Sequence, residues 1–202
     1  MDTFLKTNPI VILITGAFII SFSSVLVKTS HVVPSVSAFY RVFFGGLFLV
    51  GACIAKNDFN LRSIRETVLA VLCGLFFALD LWTWHQSILY VGPGLATILA
   101  NFQVFILSFV GIFFLKEQFS LKIVLSVPLA VTGLFLIIGM DMDQLTDQYM
   151  TGVGFGLAAA FFYSLFLLLM RRLQSESRHG SLFYYQMIMT VACAGILSIQ
   201  VI

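Results

Sequence analysis

Charge is what this chain has least of. Only 10% of its 202 residues are Asp, Glu, Lys or Arg, and the formal net charge is +2. A soluble domain carries about 25% charged and about 45–50% apolar residues, whereas 60% of this chain is apolar. So few charges cannot clothe a water-facing surface, and a mean hydropathy of +1.04 makes lipid the natural solvent. The small cationic excess and the lack of a basic stripe exclude nucleic acid as a partner. Cysteine is scarce as well. Cys53, Cys73 and Cys193 lie inside apolar runs without metal-ligand spacing, so they read as buried thiols, and neither a metal nor a cofactor is expected. The chain also has no His-Glu-x-x-His, no Gly-x-Ser-x-Gly and no paired carboxylates on facing helices, which leaves an intramembrane enzyme without machinery.

What is present is a series of long apolar runs. A helix crossing about 30 Å of hydrocarbon needs roughly 20 mostly apolar residues. Seven runs meet that length, at about 9–27, 37–55, 67–90, 93–115, 121–139, 152–170 and 182–202. They lack strict alternation and are about twice the length of a barrel strand, which favours helices. The first run, Pro9 to Val27, exceeds the apolar region of about 7–15 residues in a signal peptide, so it reads as a retained helix. The expected fold class is an all-α integral membrane bundle of about seven transmembrane helices, with the lipid bilayer as its surroundings.

Basic residues set the expected orientation. Lys6, Lys56, Arg62, Arg65, Lys116, Lys122, Arg171, Arg172 and Arg178 fall in the tail and the even-numbered loops, nine of the eleven Lys and Arg. The opposite side has Lys28 and the acids Asp141, Asp143 and Asp147, while Arg41 lies within the second run. The N-terminus is therefore expected in the cytoplasm, which disfavours a seven-helix receptor. The last run ends in "ILSIQVI" with no polar anchor. The expectation is either a fragment or a chain that needs a partner, such as a second copy, to complete its bundle.

An internal echo runs through the chain. "AFIISFSSVLVK" (17–28) and "AFFYSLFLLLMR" (160–171) share Ala, Phe, Ser, Leu and a terminal cation. The following runs open "SAFYRV" (37–42) and "SLFYYQM" (181–187), with Arg41 matched by Gln186. The interval of five runs is odd, so a second copy would sit inverted in the membrane, a pattern of many secondary transporters. Chance likeness between Phe- and Leu-rich helices is the competing explanation.

Several segments together resemble a known family. They are Lys28 ending the first run, "FYRVFFGG", "SILYVGPGLATILANFQVF", "FFLKEQFS" (113–120) with Glu117, and the Gly-rich "LAVTGLFLIIG" (129–139). The chain is similar to the drug/metabolite transporter superfamily, EamA-like type. That resemblance implies a multi-pass secondary transporter of the inner membrane, an exporter of small metabolites or drugs working by alternating access, with a small-molecule substrate. It also implies two five-helix inverted repeats: a first over 9–139, and a partial second over 152–202 that lacks three helices.

The polar residues within the runs are the candidate site. Ionisable groups in a bilayer cost at least a few kcal/mol, so they pair or face a cavity. At about 1.5 Å of rise per residue, Asp80 and Gln103 lie about 15 Å from the outer ends of their runs and Asn101 about 12 Å, with Arg41 and His85 about 8 and 7 Å deep. Asp80, Asn101 and Gln103 are thus expected in one midplane layer, with Arg41 and His85 above. Arg41–Asp80 reads equally as an ion pair locking two helices and as a pair binding a charged group of the substrate. His85 could relay protons, or it could bond a carbonyl near Trp82 and Trp84; Trp84 is either an interfacial anchor or a stacking platform. Asp80 and His85 lie about 140° apart around a helix, which argues against a relay between them. Asn101 and Gln103 line a cavity or bond neighbouring helices. Lys28 and Glu117 are expected to act in gating or structure. Gly45, Gly46, Gly92, Gly94, Gly133, Gly152, Gly154 and Gly156 permit close helix approach.

Overall fold

The computed structural model describes residues 9–29, 31–56, 64–116, 121–139, 146–176 and 182–199. Helices account for nearly all of them, and no strand occurs among the described residues. In chain order they are α1 (Pro9–Ser21), α2 (Ser23–Thr29), α3 (Pro34–Lys56), α4 (Ile64–Ala100), α5 (Gln103–Phe113), α6 (Leu121–Gly139), α7 (Asp147–Glu176) and α8 (Leu182–Ser198). An all-helical membrane fold follows from the hydropathy, because lipid offers the backbone no hydrogen-bond partners of its own.

Local sequence sets several of the boundaries. Pro34 opens α3, where its missing N–H would be unpaired in any case. Thr146 caps α7: its hydroxyl oxygen accepts from the Tyr149 N–H at 3.3 Å. The first run is not one helix, since a turn at Phe22 separates α1 from α2. Spans three and four are joined more tightly than a loop would allow. Two helical arms meet directly at "VGPG", and the reversal is concentrated at Gly92, whose φ of 82° and ψ of 163° are not helical. Only glycine takes that conformation without a Cβ clash, and Pro93 then starts the return arm without an N–H to strand.

α7 lies against both arms of this hairpin and shows that they run in opposite directions. Met170 and Leu173 of α7 cluster with Leu69, Ala70 and Cys73 of the first arm. Phe166 meets Phe77 at 5.2 Å between ring centroids, and Phe155 meets Trp82 at 5.7 Å. Towards its N-terminus α7 presents Gly152 to Tyr90 and Val91, and Gly156 to Leu99 of the second arm. Farther along, the Ser164 hydroxyl approaches the Gln103 carbonyl oxygen at 3.4 Å. α7 is thus antiparallel to the first arm and parallel to the second.

α8 completes the packed region. Gly74 lets it approach α4 so closely that a Cβ there would stand 2.5 Å from the Met189 carbonyl oxygen. Ala78 and Leu81 of α4 cluster with Cys193 and Leu197 of α8 and with Ala38 and Val42 of α3. Of the glycines singled out by sequence, Gly46, Gly92, Gly152 and Gly156 have a neighbour within contact range, whereas Gly45, Gly94, Gly133 and Gly154 face open space. Gly74, which that list omits, is among the tightest. α6 has α5 as its only substantial neighbour among the described elements.

Span lengths also shift. α7 runs from Asp147 to Glu176, well past both ends of the expected 152–170. Ile64–Phe113 is 50 residues of membrane-compatible helix, enough for two crossings once Gly92 reverses it. Residues 200–202, within the expected seventh span, lie outside the described residues.

Candidate functional site

The first arm of α4 carries the site. Asp80 is buried beside Ala78 and Leu81, where desolvation makes an isolated carboxylate unfavourable. Its opposite charge comes from α3: Arg41 and Asp80 interact electrostatically across the α3–α4 boundary. One helical turn beyond Asp80, Trp84 lies under the guanidinium, with Arg41 Cζ 5.7 Å from the ring centroid. At that separation the cation is attracted to the ring face. Arg41 thus lies over Trp84 and in the field of Asp80, two residues on one face of one helix.

Tyr163 of α7 enters the same field, interacting with both Asp80 and Arg41. The next residue, Ser164, is the one that reaches the Gln103 carbonyl oxygen. Consecutive residues of α7 thus interact electrostatically with Asp80 and approach the start of α5, which relates Asp80 and Gln103 through one turn of α7. The helical register breaks at this level too: residues 101 and 102 form a turn between α4 and α5. Phe102 N–H bonds the Leu99 carbonyl at 3.0 Å and Val104 N–H bonds that of Asn101 at 3.1 Å, both three residues apart. Discontinuous helices at the midplane are where transporters commonly place binding sites.

His85 is fully buried. Its Nδ1 lies 2.6 Å from the Leu81 carbonyl oxygen, one turn back on α4. A carbonyl only accepts, so Nδ1 carries the proton, and buried Nε2 has no partner among the described residues. The ring stands edge-on to Trp84 at 5.1 Å. The other candidates are dispersed. Asn101 is exposed, away from Asp80's buried face, and Gln103 enters through its backbone carbonyl. Lys28 lies near the reversal, its Nζ close to where a Cβ on Gly92 would stand. Glu117 lies outside the described residues.

Beside Arg41 a pocket of about 450 Å³ opens between α1–α2 and α3. Its polar lining is Arg41, Ser23 and Ser37; the rest is aliphatic, including Ile19, Ile20 and Leu26. Mostly apolar walls with a few convergent polar groups are typical of small-molecule sites. Sequence reasoning passed over Tyr163, Ser23 and Ser37. The signal was there, since Tyr163 and Ser164 both sit inside the echo segment "AFFYSLFLLLMR". Among the described residues no group of His, Cys, Asp and Glu is placed to hold a metal ion.

Comparison with known proteins gives one match. The sequence model of the EamA-like transporter family matches residues 7–139. No curated protein and no solved structure matches the chain.

Proposed function

From the premise that the chain belongs to the EamA-like transporter family, a family of membrane transporters, we propose that it is a secondary transporter exporting small metabolites or drugs by alternating access. In this reading Arg41, Asp80 and Trp84 form the binding centre. The observation that carries it is the placement of Arg41: stacked over Trp84, coupled to Asp80 and lining the pocket beside α3. A guanidinium with both an internal counter-charge and an open face can exchange one for a substrate group, which a sealed structural ion pair cannot do.

Two features support the inverted-repeat mechanism. α3 and α8 pack antiparallel, and Gly46 of α3 meets Thr190 of α8. The second is the sequence echo between the two helices, which matches Arg41 with Gln186, since an inverted copy runs antiparallel to the first. Proton coupling through Asp80 or through His85, whose buried Nε2 has no partner among the described residues, belongs to the same proposal. So do the inner membrane and a cytoplasmic N-terminus. In support of that orientation, Arg65 at the start of α4 and Arg171 and Arg172 near the end of α7 belong to one end of the bundle.

The test is uptake into everted vesicles of a panel of radiolabelled metabolites and cationic dyes. The expected result is concentrative uptake of at least one compound. Asp80→Asn and Arg41→Ala should reduce it by at least roughly tenfold, the scale of one lost charge-assisted contact, while membrane insertion is preserved. Unchanged uptake in both variants would overturn the assignment of the centre. A wild-type chain that moves nothing on the panel would favour the runner-up, an accessory subunit that does not itself transport.

A further inference from the structure

The packed region has a second polar grip on α4, far from Asp80. Tyr185, in the first turn of α8 and almost fully buried, donates its hydroxyl hydrogen to Glu66 Oε2 in the first turn of α4. A phenol on a carboxylate is a charge-assisted bond, about twice as strong as a neutral one. Beneath it Leu69, Ala70, Cys73, Met170, Leu173 and Met189 form a continuous apolar plug between α4, α7 and α8.

α3 and α8 thus engage different acids of one helix: Arg41 of α3 interacts electrostatically with Asp80, and Tyr185 of α8 hydrogen-bonds Glu66. α3 and α8 cross at Gly46 and Thr190. If they rotate against each other about that crossing, both grips on α4 cannot keep their lengths. We propose that Tyr185–Glu66 is a latch closing the Glu66 end of the bundle, released when α8 turns against α4 in the transport cycle. This rests on the transporter reading, which supplies the cycle.

The chain carries its own reporters. Cys73 is fully buried in the plug, seven residues from Glu66 and so on the same face of α4. Cys193 is equally buried but lies one turn from Thr190, at the pivot, and Cys53 is buried on α3. N-ethylmaleimide labelling of the purified full chain, resolved by site with mass spectrometry, reads the three thiols separately. Tyr185→Phe and Glu66→Ala are expected to raise the Cys73 rate roughly tenfold, the loss of one charge-assisted bond, with Cys193 and Cys53 unchanged. Glu66→Gln, which keeps an acceptor but loses the charge, should label between wild type and Glu66→Ala, whereas Tyr184→Phe, which removes the neighbouring hydroxyl, should label near the wild-type rate. A wild-type rate at Cys73 in Tyr185→Phe would overturn the latch. So would an equal rise at all three cysteines, because general loosening has no preferred end. The readout uses no substrate, so a silent transport assay leaves it intact, and failure of the latch leaves the transport reading standing.

Discussion

α7 and α1 share an Ala and a Ser at matching positions of the echo, yet one is buried along a full face and the other lies open. Gly152, Gly156, Ala160 and Ser164 recur every fourth residue of α7, and all four are buried. In the register of the echo their counterparts on α1 are Pro9, Leu13, Ala17 and Ser21, of which Leu13, Ala17 and Ser21 are exposed. α1 is the more apolar of the two, so hydropathy does not decide which one packs. In lipid there is no hydrophobic drive between helices, and close backbone approach decides. Where α7 has two glycines, α1 has Pro9 and Leu13, and the groove that admits Leu99 and Tyr90 is filled.

The strongest way to break that contrast is to give α7 the residue of α1. A Cβ at position 156 would already stand 2.7 Å from Leu99 Cβ and 2.9 Å from Ser87 Oγ. Gly156→Leu is expected to destabilise the folded chain by about 3 kcal/mol through overpacking, seen as a lower thermal midpoint and aggregation in detergent. A midpoint within a degree of wild type would mean that the small-residue seam does not hold α7 to α4.

How much of this was legible beforehand depended on whether a residue's meaning is local. The hairpin at "VGPG" was legible, because Gly and Pro punctuate whatever lies around them. Arg41 and Asp80 could be set near each other from depth alone, since two opposite charges in lipid have few alternatives. Gly74 was not legible. It sits in "VLCGLFF" like any other glycine, and only the path of α8 across it gives it a role. Glu66 reads as a surface acid favoured by the helix dipole in a first turn, and nothing in the sequence joins it to a tyrosine 119 residues away. Asn101 shows the converse. Rise per residue sets how far along its helix Asn101 lies but says nothing about which way round the helix its side chain points, and it is exposed.

Smaller effects should follow from the hydrogen bonds that line the same seam. Ser87 donates its hydroxyl to the Gly152 carbonyl at 2.8 Å, buried between α4 and α7. Ser87→Ala removes one interhelical bond, which in a membrane averages about 0.6 kcal/mol. The deficit should therefore be small but measurable by equilibrium unfolding in mixed micelles. A loss above about 3 kcal/mol would place Ser87 in a cooperative network rather than a single bond.

The smallest change belongs to α1. Leu13 is 72% exposed and faces none of the clusters that hold the hairpin. Leu13→Ala keeps helix propensity and removes only groups that point outward, so stability is expected to stay within about 0.5 kcal/mol of wild type. Combined with Gly156→Leu, it should add nothing, because the two sites share no partner. A clear loss of stability in Leu13→Ala would show that α1 is packed where the contrast with α7 says it is open, and the argument from small residues would then fail at its plainest case.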